Sequence, residues 1–132
     1  MASLHILRGH ATLNDDDSVG ASMRRAVTAI AVLILVVMLA VTVWASRAIG
    51  LWDAWPDFRA NPWAVATLFD AYSGFLLFYL YVAWRERSLA ARAVWFVLIM
   101  ALGNMATAAY LLIQLARLGT GEPAEAILTP RH

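Results

Sequence analysis

The sequence predicts an all-α protein: an integral membrane bundle of three transmembrane helices with a short interfacial segment between helices 1 and 2. Three observations carry that prediction. Hydrophobic residues make up 62% and charged residues 14% of the 132 positions, against about 45–50% and about 25% in a typical soluble domain. So short a chain cannot enclose that much apolar surface in a core of its own, which leaves lipid as its natural solvent. Apolar runs at 26–46, 64–84 and 93–115 are each long enough, at about 1.5 Å per residue, for a hydrocarbon layer of about 30 Å. The six tryptophans gather near the ends of those runs, Trp44, Trp52, Trp55 and Trp63 at one face and Trp84 and Trp95 at the other. Indole rings anchor at the headgroup level, so interfacial partition explains this sorting.

Residues 1–25 read as a polar, mobile cytosolic arm, with Asn14, three aspartates, Ser18 and Gly20 close together. Arg24 and Arg25 then precede the first span, 26–46, which carries no charge. A cleaved signal peptide is the alternative there, with Val43-Trp44-Ala45 as its cleavage site. Signal-peptide cores run about 7–15 apolar residues, so this longer run favours a retained membrane helix.

Gly50, Pro56 and Pro62 punctuate the loop 47–63. Its Trp52, Trp55, Phe58 and Trp63 suit a short surface helix at the headgroups. Pro62 sits where proline is favoured, at the start of the second span, 64–84. Arg85, Glu86, Arg87 and Arg92 form a charged cytosolic turn before the third span, 93–115. Residues 118–132 form a polar tail, so 26–117 is the membrane domain. With the N-terminus inside, Arg8, Arg24, Arg25, Arg85, Arg87 and Arg92 are cytosolic, and Arg47, Arg59, Arg117 and Arg131 are external. The arginine bias and the pair before the first span give N-in, C-out. The expected location is the cell membrane, the inner membrane if the source is bacterial.

Composition excludes several chemistries. A net charge of +1 offers no field for nucleic acid. All ten basic side chains are arginine, so a lysine Schiff base and a P-loop lysine are impossible. There is no cysteine, hence no thiolate nucleophile or cysteine metal site. His5, His10 and His132 lack ligand spacing, and Asp15–Asp17 lack the glycine and distal glutamate of a calcium loop. No metal and no cofactor are expected.

One position stands out. Asp70 lies in the first third of the second span, and an ionisable residue at membrane depth is a functional candidate by default. At roughly 100° per residue, Thr67, Gly74, Ala66 and Ser73 flank it within about 60°. Asn104, Thr107 and Gln114 form an arc on the third span, extended by Gly103 and Tyr110. An antiparallel pairing of the two spans brings Asn104, Thr107 and Ala108 near the depth of Asp70. The expected intramembrane cluster is therefore Asp70, Asn104, Thr107, Gln114, Tyr72 and Tyr110. Gly74, Gly103, Ala66 and Ala108 permit close helix packing.

The stretches NPWAVATLFDAYSGF, VAWRERS and VWFVLIMALGNMATAAYLLIQL resemble an uncharacterised family of small multi-pass membrane proteins from bacteria and plants, a domain of unknown function. Asp70 and Tyr72 match its Thr-Leu-x-Asp-x-Tyr stretch. Arg85, Glu86 and Ser88 match its charged turn, and Trp95, Gly103, Tyr110 and Gln114 its last helix. The resemblance runs from about Ala40 to Leu118 and omits the N-terminal arm. It implies a multi-pass membrane protein and brings no activity.

Two readings follow. The first is a non-catalytic accessory, assembly or self-associating bundle, whose partners are the bilayer and other membrane subunits or itself. The alternative is a membrane enzyme or conduit that handles a proton or a lipid-soluble ligand (quinone, isoprenoid or lipid) through Asp70. No enzyme motif occurs, which favours the first.

Overall fold

A computed structural model of the chain describes residues 2–119, 122 and 124–128, and the side chains of 18–119, 122 and 126–128. The side chains of Arg8, His5, His10, Asp15–Asp17, Arg131 and His132 lie outside the described set. The regular elements among the described residues are all helical: α1 (Ala2–Ala48), α2 (Leu51–Ala60), α3 (Pro62–Arg85), α4 (Leu89–Leu102), α5 (Asn104–Ala116) and a 3-10 turn at Ala124–Leu128.

Two helical stretches are long and apolar enough to cross a membrane, Ser18–Ala48 and Pro62–Arg85. Each fully buries a single apolar side chain, Ala31 on α1 and Val82 on α3, and leaves others exposed, Leu33 and Val36 on α1 and Phe69 and Leu77 on α3 among them. The core helix of a soluble protein would bury them. The segment expected to be an irregular arm is instead the start of α1, whose backbone is helical from Ala2.

Local chemistry explains the boundaries. Asn61 caps α3 by accepting from Trp63 N at 3.0 Å and Ala64 N at 3.3 Å, and Pro62 follows at the first helical position, where its missing N–H is harmless. Ser88 caps α4 from the Ala91 N–H. The hydroxyls of Thr28, Ser46, Thr67, Ser73 and Thr107 each donate to the carbonyl four residues back. Such back-bonding satisfies a hydroxyl without water. The short helix α2 has no buried residue and exposes Leu51, Trp52 and Trp55, which fits the interfacial segment expected there.

The third expected span is not one helix. It breaks at Gly103, which has φ 55° and ψ −126° and separates α4 from α5. A continuous helix would set positions 95 and 110 about 22 Å apart along its axis. The rings of Trp95 and Tyr110 lie 4.8 Å apart, so the chain folds back at Gly103 into a helical hairpin. At 14 and 13 residues, each arm is shorter than the roughly 20 residues a crossing helix needs. Residue 103 must be glycine on two counts: its φ is positive, and a Cβ there would meet Phe75 Cζ at 2.6 Å.

The hairpin organises the packing. Its α4 arm lies along α3, with Val82, Ile99, Ala106 and Tyr110 as the buried centre. Its α5 arm returns alongside α1 in antiparallel register. Arg24 donates to the Leu115 and Gly119 carbonyls, and Ala31 and Ile34 lie against Ala108 and Asn104. Arg24, Arg85 and residues 115–119 and 124–128 thus collect at one end of the molecule, and α2 lies at the other. The expectation that the last helix delivers the tail to the far end from Arg24 fails because of the reversal.

Candidate functional site

The expected cluster around Asp70 is dispersed into four places. Asp70 sits on α3 with its side chain exposed, and among the described residues it makes no hydrogen bond or ion pair. Asn104 and Thr107 face α1 instead. They line, with Val27, Ile30, Ala31 and Leu111, a cavity of about 220 Å³ between α1 and α5. Tyr72 donates its hydroxyl to the Met100 carbonyl at 3.2 Å. That carbonyl is in the last turn of α4 and has no helical partner beyond the break.

Tyr110 and Gln114 lie at the far end, in a cluster that centres on the charged turn. Arg85 is 3% exposed and Gln114 1%. Glu86 Oε1 accepts from the Tyr110 hydroxyl at 2.9 Å and from Gln114 Nε2 at 3.1 Å. Arg85 Nε donates to Gln114 Oε1 at 3.3 Å, and its Nη1 donates to the carbonyls of Ala126 and Ile127. Tyr81 adds a bond of 2.6 Å to the same Ile127 carbonyl. Arg92 Nε reaches the Glu86 carbonyl at 2.7 Å, and Arg87 is exposed. Among the described residues no buried side-chain polar atom lacks a partner. A fully satisfied buried network specifies one arrangement of its elements. Here it joins the end of α3, the end of α5 and the 3-10 turn.

Two residues of this clasp were expected to be a solvated turn. Arg85 continues the buried face of α3, three residues beyond Val82, and that spacing was its signal in the sequence. The only sign for Glu86 was its place next to Arg85.

The small residues also separate. Ala108 is buried on the side of α1, and Gly103, half-buried, lies close to the Phe75 ring. Gly74 has no atom within 4 Å of where a Cβ would be, and Ala66 is exposed. Among the tryptophans, Trp44, Trp52, Trp55, Trp63 and Trp84 are exposed. Trp95 is turned inward onto Tyr110.

Thr67, Asp70, Ser73, Gly74 and Leu77 therefore form an exposed stripe on α3 that none of the described residues covers. A shallow groove lined by Ser73, Leu76, Leu77, Leu80 and Phe96 borders it. No group of three or more metal-ligating side chains occurs among the described residues.

The sequence profile of the family described as Protein of unknown function (DUF1475) matches residues 7–132. The chain belongs to this family. The DUF1475 match begins within the first helix and includes the tail, so both segments are part of the family's pattern, beyond the Ala40–Leu118 stretch on which the resemblance was read. No curated protein and no solved structure matches the chain.

Proposed function

We propose that this DUF1475 protein is a small multi-pass integral membrane protein with a non-catalytic role. It docks on another membrane helix through the exposed stripe of α3 and so acts in assembly or self-association. The observation that carries this reading is Asp70, exposed on an apolar helix with no partner among the described residues. A carboxylate near the middle of a membrane helix costs about 2.5–3.5 kcal/mol on insertion scales. A covering helix removes that cost, and Ala66 and Gly74, open on the same side, let its backbone approach closely.

In this arrangement α1 and α3 cross the bilayer, and α4 and α5 enter as a hairpin and return. Arg24, Arg25, Arg85, Arg87, Arg92 and Arg117 gather at one end, and Arg47 and Arg59 remain at the other. The positive-inside rule then makes the arginine-rich end cytoplasmic, with both the α1 start and the tail inside. This is the reverse of the sequence expectation for the tail.

The catalytic alternative assigned Asn104 and Thr107 to orient Asp70, and both face α1 instead. The test is the size of the native complex. Wild-type protein extracted in mild detergent is expected to migrate above its monomer mass of 14.5 kDa, and Gly74→Leu to shift it toward monomer. A strictly monomeric wild type refutes the docking role.

A further inference from the structure

Resting on that docking reading, we infer that the helix covering the α3 stripe belongs to a different membrane protein and presents an arginine or lysine at the depth of Asp70.

The argument is one of charge. Asp70 is eight residues into α3 from Pro62 and fifteen from Arg85. At about 1.5 Å per residue it is well inside a layer of about 30 Å. Ionisable groups at that depth pair with one another or reach a water-filled cavity. The groove that borders the stripe beside Leu76 and Leu80 is apolar apart from Ser73 and Tyr79. A partner side chain is therefore the available solution.

A second copy of the chain cannot supply the opposite charge. No lysine, arginine or histidine occurs at 26–46, 60–84 or 93–116, so every membrane-embedded stretch is free of cations. Two copies inserted in the same direction would bring Asp70 against Asp70 at equal depth, like charge against like charge. Arg59 is in the last turn of α2, exposed, and makes no bond to Asp70. A foreign helix with one basic residue neutralises the carboxylate and gains a charge-assisted hydrogen bond in a low dielectric. Gly74, with open space where a Cβ would be, gives that helix room one turn deeper. The stripe thus fits a partner of stated chemistry: a transmembrane segment with one cation near the end where α2 lies.

The chain has no cysteine, so Ala66→Cys gives a single thiol one turn from Asp70. Labelling it with a benzophenone maleimide in native membranes and irradiating should yield an adduct to a transmembrane peptide of another protein that contains Arg or Lys. Adding Asp70→Asn should lower the adduct by about tenfold or more, as expected when a buried charge pair loses one member. Asp70→Arg combined with an acidic replacement of the partner's basic residue should restore it. An adduct to the same segment of a second copy overturns the inference but keeps the docking reading. An adduct only to lipid overturns both. A heterotypic adduct unchanged by Asp70→Asn overturns the charge pairing.

Discussion

Gly103 decides the course of the last quarter of the chain. Its φ of +55° is a conformation that side chains with a Cβ rarely adopt, and the ring of Phe75 occupies the space a Cβ would need. Gly103→Ala is expected to destabilise the protein by about 1–3 kcal/mol, the usual cost of a residue forced into such a region. Thermal unfolding in detergent measures it. Adding Phe75→Ala should recover part of the loss, because it relieves the contact and not the backbone. Arg85 is the second decisive residue. It donates to the Ala126 and Ile127 carbonyls and to Gln114, and removing it deletes these bonds from a charged donor, at about 1.5–3 kcal/mol each. Arg85→Ala should therefore release the 3-10 turn, seen as faster limited proteolysis near Leu128 in detergent. Arg85 was legible as a helix-end cation and illegible as a core residue, because its acceptors come from 41 and 42 positions away.

At the scale of elements, α3 has two different sides. Phe75, Phe78, Val82 and Arg85 face the hairpin, and Asp70 and Gly74 face outward. The sequence marked the second side as a stripe of small and polar residues and assigned it to the wrong neighbour. The error follows from reading 93–115 as one helix: a straight third span would carry Asn104 and Thr107 past Asp70. The break sends them to α1. The dipeptide Gly103-Asn104 was the available signal, since glycine followed by asparagine disfavours a helix interior. Two predictions belong here. Tyr72→Phe removes the hydroxyl that satisfies the Met100 carbonyl and should cost about 1 kcal/mol by chemical denaturation. Ala106→Leu inserts volume at the buried centre shared with Val82, Ile99 and Tyr110 and should cost about 1–3 kcal/mol by the same measurement.

For the whole molecule, the hairpin fixes which ends meet. In the proposed topology of two crossing helices and a re-entering pair, Ser18 and Glu122 belong to one side and Asp53 to the other. The cysteine-free chain makes this directly measurable. In intact cells, Asp53→Cys should react with an impermeant maleimide, and Ser18→Cys and Glu122→Cys should react only after permeabilisation. Labelling of Glu122→Cys from outside would restore a third full crossing.

The residues by themselves determined the class. An apolar excess too large for a small core, helix-length apolar runs, tryptophans at their ends and the motifs of an uncharacterised family are all local or compositional, and need no folded contacts to be read. They also marked Asp70 as out of place in its helix. What only the tertiary structure decided was who meets whom. The reversal at Gly103, the burial of Arg85 beneath backbone carbonyls and the isolation of Asp70 depend on contacts between distant segments. Helical periodicity fixes the face on which a side chain lies, but the neighbour against that face is set by a single backbone torsion elsewhere in the chain.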